Sequence, residues 1–115
     1  MKLFRKEEGF TLVELMVVVL IIGILVAIAI PVFNAASASA RKSACQANLR
    51  TLDGATEQYL AADPDNTRAQ IDADPQGTLG AYVKDWTSSS QCPDNDAAYT
   101  VAGGVFACPN GHTYP

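Results

Sequence analysis

The sequence predicts an α+β fold: a long N-terminal α-helix, its first half apolar enough to span a membrane, packed along its second half against a small C-terminal domain with a β-hairpin. Three observations predict it. No charged residue occurs from Leu15 to Ala40, and from Leu15 to Phe33 every residue is apolar apart from Gly23 and Pro31. Beyond Phe33 a helical spacing of larger side chains continues without a break, at Cys45, Leu49, Leu52, Thr56 and Tyr59/Leu60. Near the C-terminus, β-forming residues alternate on both sides of Gly103-Gly104, a two-residue glycine turn that signals a hairpin.

The apolar run comes first in the chain. At about 1.5 Å rise per residue, some 20 apolar residues cross a hydrocarbon core of about 30 Å, so Leu15 to Phe33 is long enough to span. A secretory signal peptide is the first rival, since Lys2, Arg5 and Lys6 form a basic leader and "NAASASA" (34–40) supplies an Ala-x-Ala-like tail. The run is longer than the usual 7–15 apolar residues of a signal peptide, and Glu14 stands at its head. A carboxylate in a membrane segment costs roughly 2.5–3.5 kcal/mol at the bilayer centre and marks function. A simple anchor would let Glu14 snorkel to the headgroups. The positive residues before the span, against Arg41 and Lys42 after it, favour a cytoplasmic N-terminus.

These residues carry a resemblance. "KEEGFTLVELMVVVLIIGILVAIAIPVF" (residues 6–33) resembles the N-terminal signal and helix of type IV pilins and of the pseudopilins of type II secretion and DNA-uptake systems. The match runs over Gly9, Phe10, Thr11, Leu12, Glu14 and Pro31 in order and spacing. It covers the first third of the chain closely and extends more loosely through "CQANLRTLDGATEQYL" and the later Cys-Pro segments, which resemble small major pilins and competence pseudopilins.

The resemblance implies a pilin-like fold and a history for the N-terminus. A membrane-embedded prepilin peptidase cuts after Gly9 and methylates the new amine on Phe10, leaving residues 1–9 as a discarded leader. Glu14 then pairs with the N-terminal amine of a neighbouring subunit. Each charge is costly alone in an apolar bundle and the pair forms in one axial register only, so the acid sets the assembly register. The resemblance also implies that the segment from Gly23 to Pro31 loses helicity on assembly. Proline in a helix interior costs about 3 kcal/mol and glycine about 1 relative to alanine; the plain alternative is a tolerated kink.

Residues 10–33 thus form the transmembrane and filament-core half of the helix, and 34–62 its amphipathic half. The alanines from Ala35 to Ala47 favour helix. One face of this half is buried, and Arg41, Lys42, Arg50, Asp53 and Glu57 lie on the solvated side. Asp63-Pro64 ends the helix, because proline disfavours helix in the residue before it. Residues 63–115 make the small C-terminal domain. "ADPDNTRAQIDADPQG" (62–77) reads as a polar, proline-marked loop whose aspartates lack the spacing of a calcium loop. "TLGAYVKDW" (78–86) reads as a short amphipathic helix capped by Thr78, with Trp86 packed on the long helix. The hairpin around Gly103-Gly104 forms a two-stranded sheet, with room for a third short strand, and needs packing or a staple to persist.

Cys45, Cys92 and Cys108 offer the staple. Outside the membrane oxidation is permitted, and three single bridges are possible, each leaving one thiol over. Cys92 to Cys108 would clip the hairpin region and is the first candidate. Cys45 to Cys92 is similar to the helix-to-"CPNG" bridge of competence pseudopilins, although here "CPNG" begins at Cys108 and Cys92 begins "CPDN". Cys45, Cys92, Cys108 and His112 also have the composition of a structural zinc set of three cysteines and one histidine. No CxxC is present and the Cys-Pro pairs lie far apart in sequence, so no metal and no cofactor is expected.

Composition narrows the function class. The 115-residue chain is 49% hydrophobic, carries a net charge of −4 and has a pI of about 4.7, with only small basic clusters at Lys2/Arg5/Lys6 and Arg41/Lys42. A direct nucleic-acid reader is not expected. His112 is the single histidine, and no Ser/His/Asp set or phosphate loop accompanies it, so no enzyme is expected.

The sequence thus describes a structural subunit of a type IV pilus or pseudopilus, held in the cell membrane before assembly and displayed as a surface or extracellular filament afterwards. The resemblance implies as partners other copies of the chain, the prepilin peptidase, an inner-membrane assembly platform and, before assembly, membrane lipid. Nucleic acid enters only through the assembled filament. A type II secretion or competence pseudopilin is the alternative within the family. A membrane-anchored domain that does not polymerise is the alternative outside it.

Overall fold

The computed structural model describes residues 9–113. Its elements in chain order are α1 (Leu12–Ala62), α2 (Arg68–Ala73), α3 (Pro75–Leu79), α4 (Trp86–Ser89), β1 (Thr100–Ala102) and β2 (Val105–Ala107). The chain divides into two compact units, one ending at Ala36 and the other running from Ser37. The basic leader preceding Gly9 lies outside the described residues.

In the first unit α1 is continuous through Gly23 and Pro31. Its most apolar stretch has a mean hydropathy of 3.2 and is nowhere buried. Every large apolar side chain from Leu12 to Phe33 is exposed. Exposure of such a surface to water costs about 25 cal/mol per Å² of apolar area.

In the second unit α1 turns amphipathic. Cys45, Leu49, Leu52, Ala55 and Thr56 are its buried residues, at the steps of three and four that put side chains on one helical face. The buried Thr56 hydroxyl donates to the Leu52 carbonyl at 2.9 Å, which satisfies it without a partner from another element. Leu52 and Ala55 join Ile71, Leu79 and Val83 in a core that Tyr59, Trp86, Tyr99, Val101 and Phe106 cover from the sides. The Trp86 ring meets Phe106 edge to face at 6.5 Å. α1 ends at Ala62, before Asp63-Pro64, and the Asn66 side-chain amide caps its end by donating to the Tyr59 carbonyl at 2.7 Å.

Residues 62–77 are not the plain loop that their polarity suggests. They hold α2 and α3. The Thr67 N–H donates to Gln70 Oε1 at 2.7 Å, which is half of a capping box at the start of α2. Asp74 caps α3 by accepting from the Gly77 N–H at 2.9 Å, with Pro75 in the first turn, where its missing N–H costs nothing. Asp74 therefore has a local backbone duty, as does Asp63, whose Oδ1 accepts the Asp65 N–H at 2.9 Å.

Nor is residues 78–86 one amphipathic helix. α3 stops at Leu79, a turn follows, and α4 begins at Trp86 behind the Asp85 cap. Leu79 and Val83 are still both buried, because the turn returns them to the same core that a helix would have reached.

The hairpin forms as expected. β1 and β2 pair antiparallel, with Thr100 opposite Ala107, Val101 opposite Phe106 and Ala102 opposite Val105. Gly103 and Gly104 both take positive φ, at 62° and 73°, the left-handed geometry of a two-residue hairpin turn. Asp72 at the end of α2 anchors this turn, accepting the Gly103 and Gly104 N–H groups at 2.8 Å each. Such charge-assisted bonds contribute about 1.5–3 kcal/mol each. Among the described residues, a single bridge pairing Gln91 with Ala98 stands in place of a third strand.

Candidate functional site

Two groups of residues stand out: the entry to the apolar helix, and a cluster of sulfur and nitrogen ligands in the second unit. At the entry, Thr11 precedes the first residue of α1 and Glu14 lies in its first turn. Glu14 Oε2 accepts the Thr11 N–H at 2.8 Å, and the Thr11 hydroxyl accepts the Glu14 N–H at 3.2 Å. This is a reciprocal capping box, which satisfies two of the amide groups that a helix start leaves unpaired. The helix N-terminus also favours a negative charge there. Thr-x-x-Glu before an apolar run is a sequence signature of this box, so residues 11–14 carry a capping signal as well as the assembly signal expected of Glu14. Both residues, with Gly9 and Phe10 beside them, are exposed. One carboxylate oxygen is held by Thr11, and a carboxylate has lone-pair sites to spare for a cation.

The second group is built by three separate stretches of chain. α1 supplies Cys45 from its buried face. Cys92 follows the Gln91 bridge and opens the first Cys-Pro turn, closed by the Asp96 N–H donating to the Cys92 carbonyl at 2.8 Å. Cys108 leaves β2 and opens the second, in which the Gly111 N–H donates to the Cys108 carbonyl at 3.1 Å. Gly111 has φ 76°, a conformation that glycine adopts without strain, and His112 follows directly from it. The side-chain amides of Asn95 and Asn110 each donate to the other's carbonyl oxygen at 3.1 and 2.9 Å, joining the two turns.

As a result the ligand atoms of Cys45, Cys92, Cys108 and His112 all lie within 4.8 Å of one another. His112 Nδ1 is 3.5 Å from Cys92 Sγ and 3.7 Å from Cys108 Sγ. All three cysteines are buried free thiols. The separation in sequence that counts against a metal set is closed by the hairpin and the two Cys-Pro turns. Sequence spacing has no means of showing this, because the residues meet only through long-range folding.

Polar donors lie beside two of the sulfurs. The Asn110 amide donates to Cys92 Sγ at 3.1 Å, and the Tyr99 hydroxyl lies 3.3 Å from Cys45 Sγ. Burial pushes the Cys92 thiol up, but the Asp94 backbone N–H, the Asn110 amide and the Cys108 and Cys45 thiols outweigh it and bring Cys92 down to about 7. Burial dominates at Cys45 and pushes it up to about 12; Tyr99 opposes the shift while Cys108 and Cys92 reinforce it. Burial, with the bond to Cys45, also raises Tyr99.

Comparison with known proteins bears on the first group. The family described as "Prokaryotic N-terminal methylation motif" matches residues 4–30. The type IV major fimbrial protein FimA of Dichelobacter nodosus is 38% identical over 110 residues, covering 94% of this chain and 66% of the relative. The type IV major pilin protein PilE1 of Neisseria gonorrhoeae is 37% identical over 83 residues, covering 69% and 50%. The competence protein ComGC of Halalkalibacterium halodurans is 33% identical over 106 residues, covering 92% and 95%. The chain thus spans just under two thirds of that FimA, half of that PilE1 and nearly all of that ComGC. No solved structure matches.

Proposed function

The chain belongs to the type IV pilin and pseudopilin family, and from that premise we propose that it is the structural subunit of a pilus or pseudopilus filament. The observation that carries this reading is the unburied apolar surface of α1 from Leu12 to Phe33, coupled to the methylation motif at its head. Such a surface needs lipid before assembly and other copies of the same helix afterwards. The prepilin peptidase cuts after Gly9, and the amine of Phe10 is methylated. The assembly platform draws the subunit from the membrane, and Glu14 accepts the amine of a neighbour while its Thr11 bond holds the carboxylate in place. Gly23 to Pro31, helical in the subunit, is the segment that loosens in the filament.

A pseudopilus is the second reading, favoured by the near-complete coverage of the competence protein ComGC. The two are separated in a host with native assembly machinery. Shearing the cell surface is expected to release filaments built from this chain if it is a pilus subunit. A pseudopilus subunit instead yields few sheared filaments, and its deletion lowers DNA uptake or protein secretion. A chain that stays in the membrane fraction, with no effect of deletion on either process while a control pilin assembles, would leave only a membrane-anchored domain.

A further inference from the structure

We propose that Cys45, Cys92, Cys108 and His112 bind one structural zinc ion that fastens α1 to both Cys-Pro turns. The proposal stands apart from the filament reading and rests on the geometry of the second unit alone. A tetrahedral zinc site with Zn–S of about 2.3 Å and Zn–N of about 2.0–2.1 Å has sulfur–nitrogen edges of about 3.5–3.6 Å and sulfur–sulfur edges of about 3.8 Å. His112 Nδ1 already stands 3.5 and 3.7 Å from Cys92 Sγ and Cys108 Sγ. All four ligand atoms fit within 4.8 Å, so small side-chain movements complete the tetrahedron.

Donor chemistry selects the metal. Three thiolates and an imidazole in tetrahedral array suit zinc, whereas calcium and magnesium require oxygen. Four protein ligands leave no open position for water or substrate, which makes the site structural rather than catalytic. Binding replaces three S–H protons, released to solvent, with three Zn–S bonds. The neutral imidazole gives its Nδ1 lone pair and keeps its proton on Nε2. Three thiolates and one Zn²⁺ leave one net negative charge, and the N–H and O–H donors around the sulfurs face it. The Asn110 amide lies at Cys92, and the Tyr99 hydroxyl lies at Cys45. Donors of this kind orient metal ligands and hold the thiolate form.

The fold explains why a staple of this kind is useful. The core of the unit is a handful of side chains, and its hairpin has three residues in each strand; small domains of this sort rely on metals or disulfides. Any one disulfide among the three cysteines would use two ligands and strand a third thiol beside the imidazole. Zinc uses all four.

The test is the full chain purified in detergent from a zinc-supplemented host, with elemental analysis, native mass spectrometry and thiol alkylation. The expected result is one zinc per chain, with all three thiols shielded from alkylation until a chelator is added. His112→Ala is expected to weaken zinc at least tenfold in competition with a chromophoric chelator, while His112→Cys, which offers four thiolates, retains it. The His112→Cys chain also separates loss of a ligand from loss of fold. Cobalt in place of zinc is expected to give thiolate-to-metal charge-transfer absorption that His112→Ala alters. A wild-type chain without metal, or one whose mass rises by two hydrogens on reduction because a disulfide joins two of the cysteines, overturns the proposal.

Discussion

Glu14→Ala is expected to abolish filament assembly while leaving the C-terminal domain folded. On the proposed assembly, the substituted chain keeps its apolar helix and is expected to stay in the membrane, without the carboxylate that would pair with a neighbour's amine. An amine left unpaired in an apolar bundle is penalised by about 3–5 kcal/mol. At about 1.4 kcal/mol per factor of ten, this lowers the constant for each subunit addition by about two to three and a half orders of magnitude. Polymerisation compounds that loss at every step. The variant also loses the carboxylate half of the Thr11–Glu14 capping box, worth about 1 kcal/mol at the helix start. Glu14→Gln separates the two effects, since glutamine retains an oxygen for the Thr11 N–H but no charge for the amine. Quantifying each chain in sheared and membrane fractions checks the prediction: both variants should be missing from the sheared fraction and present in the membrane. Normal filament yield from Glu14→Gln would remove the charge pair from the account.

Leu52→Ala carries the largest expected effect on stability. Leu52 is fully buried and central to the cluster that joins α1 to Ile71, Leu79 and Val83. Removing its side chain leaves a cavity between α1 and the short elements α2 and α3. Changes of this kind cost about 2–5 kcal/mol, the higher values arising where neighbours cannot collapse into the space. For a domain of this size each kcal/mol lowers the melting temperature by about 4–8 °C, so a fall of at least about 8 °C is expected. Trp86 is the single tryptophan and packs on the same cluster, so its fluorescence reports the transition directly. Lys42→Ala, on the exposed side of α1, should remain within about 0.5 kcal/mol of the parent. Equal melting of the Leu52→Ala chain and its parent would mean that the cluster is not the core.

The sequence displays the long-range plan of this fold better than its local turns, for physical reasons that differ from segment to segment. Over α1 a run of apolar residues passes into a three-and-four spacing, and both signals accumulate over many turns. Gly103-Gly104 is equally plain, because few backbone geometries join alternating strands through two glycines. α2 and α3 are harder to see. Each buries a single side chain, Ile71 and Leu79, so neither has a periodicity to detect. Their starting signals, Thr67 with Gln70 and Asp74 with Pro75, lie in a stretch whose prolines also read as stops. Proline has both meanings: it ends a helix before itself and suits the first turn of a new one.

The candidate sites divide in the same way. Gly9, Phe10 and Glu14 are neighbours in sequence, so their pattern survives in one dimension, and Thr11–Glu14 reads equally as a helix cap. The cluster of three cysteines and one histidine is visible in composition alone. Nothing between Cys45 and Cys92 indicates that α1 presents its sulfur to two turns from the far end of the chain. The reciprocal amides of Asn95 and Asn110, which bring those turns together, follow no short motif.

The measurement that tests the filament account most directly is the intact mass of the chain recovered from a host with an active prepilin peptidase. The account predicts a chain that begins at Phe10 and carries one added methyl group. A chain that still begins at Met1, from cells whose peptidase processes a control prepilin, would contradict it.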